Sequence, residues 1–279
     1  MHTDIGNPGH AQSATNEPEL FYAQFLFEAP FTLDKDQILA ELTKEFVQVD
    51  SIGLEDNVFL YAFPEYSAQY DDKEVPMQCA ILTSEIPLPS KQFDSALQQN
   101  WEWQDAQEVI PRCQYHFTIT DLLSRNLDYR LRAECFQKFA IAVIRVTQPQ
   151  AVYFKHSDKL VEPFTYVDAL TDEQPDVMNG LMNIRFFNVS NGNEGELFMD
   201  TLGLHALGLP DFQITFTAYD PNEIASLLTG YGHYIYQKGL VIEEGSSIQG
   251  LQPDQIWICH FMDSFVPPRR VVITMEKEK

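Results

Sequence analysis

The order of strand-like and helix-like segments in residues 20–120 constrains the fold of this chain more than any other feature. Stretches rich in aromatic residues or alternating in polarity predict four strands, at residues 21–28, 57–63, 77–86 and 112–120. Stretches with apolar residues at helical spacing or with a capping serine predict two helices, at residues 33–46 and 90–100. The order βαββαβ is that of the ferredoxin-like arrangement, an antiparallel sheet with two helices on one face.

The rest of the chain also contains both predicted helices and predicted strands. A long amphipathic helix is predicted at residues 127–146 and a short strand at 151–155, after which residues 163–180 form a looser stretch rich in proline and acidic residues. Five strands and one helix follow, predicted at residues 181–189, 196–202, 212–216, 220–238 (the helix), 256–262 and 270–275.

We therefore predict an α+β protein with a ferredoxin-like N-terminal half packed with a second α+β half of mostly antiparallel strands. The expected divisions are a disordered arm at residues 1–19, a ferredoxin-like half at 20–165 and a C-terminal half at 166–279.

The charge of the chain restricts its partners. Lys and Arg number 18 against 41 Asp and Glu, which gives a formal net charge of −23. Such a field repels phosphate backbones and anionic lipid headgroups, so we expect neither nucleic acid nor a membrane as ligand. It attracts a basic protein partner and accelerates the encounter with it, although solubility alone is an alternative reason for the charge.

Other classes of protein receive little support. The first residues lack the basic and apolar regions of a secretory signal, and no apolar run approaches the ~20 residues of a membrane helix, so a cytoplasmic protein is expected. Four cysteines lie far apart and are interpreted as reduced core thiols. No metal-ligand spacing or phosphate-binding loop occurs, and we expect no cofactor and no metal, with zinc held by distant residues as the alternative.

The C-terminal half carries a specific motif. The string MDTLGLHALGLPDFQ spans residues 199–213, and DPN at 220–222, KGLVIEEGSSIQG at 238–250 and VPPRRVVITM at 266–275 accompany it. Together these segments resemble the bacterial family called domain of unknown function 4261. The resemblance implies an α+β protein without an assigned activity, and it carries over no catalytic residues. It also implies an association with toxin–immunity and secretion loci.

The same motif offers the one candidate for catalysis. Gly203, Gly208 and Pro210 let the backbone bend tightly, and the bend could bring Asp200 and Asp211 near His205. An aspartate that orients a histidine is the pairing that a general base needs. The alternative is a purely structural turn, because no nucleophile motif accompanies these residues.

Candidate partner-binding residues are two tryptophans and two acidic pairs. Trp101 and Trp103 lie among acidic residues, and exposed aromatic side chains are common anchors in protein interfaces. The acidic pairs next to predicted turns are Glu194 with Glu196 and Glu243 with Glu244. The alternatives are a tryptophan that seals a helix against the sheet and carboxylates that are simply solvated.

These observations lead to one preferred function and two alternatives. We expect a non-enzymatic, acidic interaction protein of the bacterial cytoplasm, of the immunity type that binds a basic toxin or effector. The first alternative is a hydrolase that uses Asp200, His205 and Asp211. The second is a structural component that self-associates through an exposed sheet edge. The sequence leaves the oligomeric state open.

Overall fold

The computed structural model describes residues 2–5, 9, 14–53, 58–89 and 91–277. The chain divides into two compact units: an N-terminal unit, Leu20–Leu181, and a C-terminal unit, Met182–Lys279 together with Met1–Glu19. Both units are α+β, as predicted, and each contains one mostly antiparallel seven-stranded sheet. The boundary lies at residues 181 and 182 rather than at 165 and 166, because residues 163–180 contain a helix that belongs to the N-terminal unit.

In the N-terminal unit, every pair of neighbouring strands is antiparallel, and the strand order is β3-β4-β5-β6-β2-β7-β8. The strands are β2 (Tyr22–Phe27), β3 (Asp50–Gly53), β4 (Val58–Tyr70), β5 (Lys73–Thr83), β6 (Tyr115–Leu122), β7 (Ala151–Phe154) and β8 (Lys159–Val161). The helices are α1 (Lys35–Glu45), α2 (Asp94–Gln98), α3 (Ala106–Val109), α4 (Tyr129–Thr147) and α5 (Pro163–Thr171). The predicted element starts at residues 57 and 90 lie outside the described residues.

The strand order does not confirm the ferredoxin-like arrangement. The βαββαβ order of elements along the chain is present, but that fold interleaves its two βαβ units. Here β5 pairs directly with β6, in the register Gln78 to Leu122, and β6 pairs with β2. The reason is that α2 and α3 are only five and four residues long. They form a long connection between neighbouring antiparallel strands instead of a crossover between parallel ones.

Helix α4 forms the centre of the core of the N-terminal unit. Its N-cap Asp128 accepts hydrogen bonds from the backbone N–H groups of Arg130 and Leu131, which satisfies donors that the first turn leaves free. It packs beside α1 and against β4, β5 and β6. The short helices α2 and α3 join a separate apolar cluster that includes Leu26 and Tyr153.

In the C-terminal unit, the strand order is β1-β9-β10-β11-β14-β13-β12, with parallel pairs at β1–β9 and β11–β14. Its elements are β1 (His2–Thr3), β9 (Asn183–Val189), β10 (Leu197–Leu202), β11 (Asp211–Phe216), α6 (Pro221–Lys238), β12 (Ser247–Gln249), β13 (Ile256–Asp263) and β14 (Val271–Lys277). No helix among the described residues combines the length and the hydropathy that a membrane span requires.

Helix α6 has nearly the bounds that the sequence predicts. Asp220 caps the N-terminus by accepting from the backbone N–H of Asn222, and Gly239 follows the last turn. Inside the helix, a Cβ on Gly232 would lie 2.5 Å from the sulfur of Met182. The glycine therefore permits a close approach between α6 and the segment that leads into β9.

The first 19 residues differ from the expected disordered arm wherever the structure describes them. Strand β1 extends the sheet beside β9. The side-chain amide of Asn16 donates to the carbonyl oxygens of Leu209 (2.8 Å) and Val271 (3.0 Å), and its Oδ1 accepts from Val271 N–H at 2.7 Å. These hydrogen bonds fix the segment to the C-terminal unit. Residues 1, 6–8 and 10–13 lie outside the described residues.

Candidate functional site

The predicted motif forms a buried network of charged side chains at one end of β10 and β11. Asp200 and Thr201 belong to β10, Asp211 opens β11, and His205 lies on a short 3-10 helix between them, Leu204–Leu207. Gly203 and Gly208 border this turn with positive φ angles of 135° and 85°, which glycine adopts without strain. The tight bend that the sequence predicts is therefore present.

Asp211 is the centre of the network. Its carboxylate accepts from the hydroxyl of Thr201 at 2.8 Å, from His205 Nδ1 at 2.9 Å and from Arg270 Nε at 3.0 Å. It also accepts from three backbone N–H groups of the turn, at Gly203 (3.4 Å), Leu204 (3.1 Å) and His205 (3.3 Å). One buried carboxylate thereby holds the whole turn in its bent conformation.

Asp200 is bound by two arginines. Arg185, its register partner on β9, donates through Nε to Oδ1 at 2.9 Å and through Nη2 to Oδ2. Arg270 Nη2 donates to Oδ2 at 2.7 Å, so that this arginine bridges Asp200 and Asp211. A bidentate arginine–carboxylate pair fixes both distance and angle. Asp200, His205 and Asp211 are thus brought together, with Asp200 connected to the other two through Arg270.

The electrostatics of the network favour full ionisation of Asp211. Burial by itself would raise the pKa of this carboxyl. The hydrogen bond with His205 and the charge of Arg270 outweigh burial and hold the pKa well below its usual range. Asp211 is therefore a permanently charged acceptor rather than a group that exchanges protons near neutral pH.

The hydrogen bonds and the burial of the network favour a structural role over a catalytic one. The Asp211–His205 contact resembles the pair that activates a nucleophile, but the hydroxyl of Thr201 donates to Asp211 and not to His205. His205 is only 4% exposed. Arg270 pairs with the buried carboxylates, while Arg269 is exposed and pairs with Asp263 at 2.7 Å.

The partner-binding candidates are distributed over both units. Trp101 is 58% exposed, and Trp103 packs with its indole against the α2–α3 cluster, both in the N-terminal unit. The four glutamates lie in the C-terminal unit. Glu194 and Glu243 are exposed, Glu196 accepts from the backbone N–H of Asn193 (2.9 Å), and Glu244 binds His260 Nδ1 (2.6 Å) and Phe261 N–H (2.7 Å).

One cavity, of about 1020 Å³, is a groove in the N-terminal unit. Proline and aromatic side chains line much of it. Cys113 and His116 are the lining residues of the types that form a nucleophile and its base. Burial raises the pKa of the Cys113 thiol to about 11, so the thiolate that a nucleophile requires is absent at neutral pH. Burial also lowers the pKa of His116. This groove therefore has no activated cysteine.

A second cavity, of about 310 Å³, lies beside β8 and α5 in the same unit. Most of the residues that line it have acidic, aromatic or other polar side chains. They are Glu102, Trp103, Asp105, Glu162, Thr165, Tyr166 and Asn179. No group of three or more His, Cys, Asp or Glu side chains suited to a metal ion occurs among the described residues.

Residues 200–276 match the family model described as Domain of unknown function (DUF4261). This part of the chain is similar to that family. The match begins at Asp200 and includes the whole buried network except Arg185. It confirms the resemblance that the motif indicates. The chain matches no curated protein and no solved structure.

Two parts of the site escaped sequence reasoning. Arg185 stands in β9, just before the DUF4261 segment, and nothing in its surroundings singles out one arginine in an alternating strand. Tyr166 and Asn179 fall in the stretch interpreted as a loose boundary. The one local cue was Glu162-Pro163, since proline at the first helical position after a capping residue is a start signal for α5.

Proposed function

We propose that this protein acts by binding a basic protein partner and not by catalysis. Its role is that of an immunity-type protein of the bacterial cytoplasm, which neutralises a basic toxin or effector. The distribution of charge between core and surface carries this proposal. The −23 charge makes the chain a strong attractor of cations, provided that the carboxylates face the solvent.

The buried charges support that condition. The charged side chains buried among the described residues are Asp121, Asp200, Asp211, Arg132, Lys159, Arg185 and Arg270. Basic groups outnumber acidic ones in this set, and the arginines pair with the aspartates, as in Arg132–Asp121 at 2.6 Å. Among the described residues, the negative excess therefore falls on side chains that are not buried, where it can steer a basic partner.

Capture experiments at graded ionic strength test the proposal. The immobilised chain is incubated with a cytoplasmic lysate and with secreted protein from its own source at low salt, and bound proteins are eluted in steps of increasing salt and identified. We expect enrichment of proteins with basic isoelectric points, eluting as salt screens the surface charge. Enrichment of neutral or acidic proteins, or elution that is independent of salt, would contradict the proposal.

The His205–Asp211 contact favours one second candidate, a hydrolase. If His205 is a general base, His205→Gln abolishes turnover of ester and peptide substrates and leaves folding intact, because glutamine keeps a donor for Asp211. Under our proposal the purified chain shows no His205-dependent turnover of such substrates. A rate that falls at least 100-fold in this variant would favour the hydrolase.

Self-association through a sheet edge is the remaining candidate. Among the described residues, the strands at the edges of the two sheets are β1, β3, β8 and β12, which are two, four, three and three residues long. β3 pairs with only Phe59–Ala62 of the 13-residue β4, and β1 with only Asn188 and Val189 of β9, so the longer strands keep unpaired backbone along part of their outer edge. Sedimentation at increasing concentration tests this alternative, and a stable dimer would support it.

A further inference from the structure

The groove of about 1020 Å³ lies where two neighbouring strands of the N-terminal sheet stop pairing. Strand β5 pairs with β6 up to Thr83, opposite Phe117, but β6 begins two residues earlier, at Tyr115. The chain after β5 cannot extend this ladder far, because Pro87 and Pro89 lack the N–H groups that pairing requires. Residues 84–89 therefore line the groove together with the first residues of β6.

Several apolar side chains that line this groove are exposed to solvent. Ile86 is 74% exposed, Tyr115 is 40% exposed, and Pro87 is exposed as well. Phe93 and Ile110 line the same groove and are each only 6% exposed, so that the groove also reaches the buried α2–α3 cluster. Exposed apolar side chains that are grouped at one concave surface, rather than scattered singly, indicate an interaction site, because a partner that covers them removes apolar area from water.

The charges at the groove indicate the sign of the partner. Glu85 and Asp94 line it, and both are exposed. In the described part of the chain, neither of them forms an ion pair, and no lysine or arginine lines the groove. Arg112, which follows the lining residue Pro111, pairs with Glu28 at 2.7 Å. An apolar segment that carries lysine or arginine therefore complements the groove better than a neutral or an acidic segment.

The backbone of the segment after β5 is not paired with another strand. Among the described residues, the N–H groups of Glu85 and Leu88 have no hydrogen-bond partner, and the N–H of Ile86 donates to Ser84 Oγ at 3.1 Å. An extended peptide that lies along unpaired backbone gains main-chain hydrogen bonds, while its side chains provide specificity. The side chain of Leu88 packs against the α2–α3 cluster, which holds the segment in place and reduces the entropy lost on binding.

We propose that this groove docks an extended segment of a basic protein, in which apolar side chains alternate with lysine or arginine. Ile86 and Tyr115 contact the apolar side chains, Glu85 and Asp94 pair with the basic ones, and the backbone of residues 84–88 donates to carbonyl groups of the segment. The proposal rests on the proposed function, because it names the docking surface for the basic partner. The competing occupants are an acidic segment and a second copy of this chain.

Titration of the whole chain with three fluorescently labelled hexapeptides tests the groove. The first peptide alternates lysine with valine, the second replaces its lysines by glutamate, and the third replaces its valines by serine. We expect the lysine–valine peptide to bind about 10-fold more tightly than either of the others, because only it matches both the charge and the apolar surface. Equal binding of the lysine–valine and lysine–serine peptides would overturn the proposal, and so would tighter binding of the acidic peptide or no binding of any of the three.

Two variants with matched controls locate the binding. Ile86→Ser and Glu85→Gln change exposed side chains, so both variants should fold. We expect Ile86→Ser to weaken binding of the lysine–valine peptide about 10-fold and Glu85→Gln to weaken it about 3-fold, since exposed ion pairs contribute less than apolar burial. Ile256→Ser and Glu74→Gln make the same changes at exposed positions outside the groove and should leave binding unaltered. Equal effects of a variant and its control would refute the groove.

Amide hydrogen exchange provides a readout at the groove itself. In the free chain, the N–H groups of Glu85 and Leu88 should exchange rapidly, because they have no hydrogen-bond partner among the described residues. We expect the bound lysine–valine peptide to slow their exchange, since its carbonyl groups accept from this backbone. Unchanged exchange in residues 84–88 with the peptide bound would contradict the proposed pairing.

The outcomes separate the groove from the proposed function. Salt-dependent capture of basic proteins that survives Ile86→Ser unchanged would refute the groove as docking site and leave the proposed function intact. Peptide binding that depends on Ile86, in a chain that captures no basic protein, would refute the proposed function and leave the ligand chemistry of the groove intact. Self-association that Ile86→Ser abolishes would show that a second copy occupies the groove and would overturn the proposal.

Discussion

Replacement of Arg270 by methionine tests whether the buried network holds the C-terminal unit together. The guanidinium side chain is 1% exposed and donates to Asp211 Oδ2 at 3.0 Å and to Asp200 Oδ2 at 2.7 Å. Methionine has a similar length but carries no charge and no donor. The variant therefore leaves two buried carboxylates with one cation fewer.

The expected decrease in the free energy of unfolding depends on which groups remain bound to each carboxylate. Removal of one member of a buried ion pair typically costs about 3–5 kcal/mol, because the partner charge stays buried. Here Arg185 still pairs with Asp200, and His205 still contacts Asp211. We therefore expect the lower end of that range, about 3 kcal/mol of the free energy of unfolding of the C-terminal unit.

A single tryptophan makes the measurement specific. The chain contains three tryptophans, of which Trp257 is buried in the C-terminal unit. With Trp101→Phe and Trp103→Phe as background, the fluorescence of Trp257 follows urea unfolding of that unit alone. The matched control is Arg269→Met, since the neighbouring arginine is 82% exposed. Equal midpoints for the two methionine variants would refute the reasoning, because they would show that burial of the pair contributes nothing.

Three further predictions concern pH, packing and thiol chemistry. The pKa of Asp211 is lower in the folded than in the unfolded chain, so its stabilising contribution is complete above the ordinary value of 3.8 and is lost as the pH falls below it. Asp211→Asn should show a smaller decrease in unfolding free energy over that acid range, and an equal decrease would contradict the assignment. Gly232→Ala should lower the unfolding free energy by about 1–3 kcal/mol, since Met182 must move. Gly230→Ala, with nothing within 4 Å, should instead raise it by about 0.5–1 kcal/mol, and two changes of the same sign would count against the contact. All four cysteines are free and buried, and burial raises the pKa of Cys259 to about 12. A thiol reagent should therefore label none of them before unfolding and all four afterwards, and rapid labelling of the native chain would contradict this.

The secondary structure of most segments followed from the sequence, because helices and their ends depend on residues that are close along the chain. Helix α6 was predicted from Asp220-Pro221 at its start to Gly239 after its end, and the structure places it at Pro221–Lys238. The missed helix α5 shows the limit of such local cues. Its proline start stands in a stretch so rich in turn-forming residues that a loop was the better prediction.

The sequence by itself determined the α+β class, the net charge of −23, the resemblance to the DUF4261 family and the closeness of His205 and Asp211, which lie six residues apart. Only the tertiary structure decided the strand order, in which β5 pairs with β6 and which does not confirm the ferredoxin-like expectation. It also joined Asp200 to Arg270, 70 residues further along the chain, and set Asn179 in one cavity with Trp103. The physical reason is that strand neighbours and buried ion pairs depend on which distant surfaces pack together. No local pattern of residues specifies that choice.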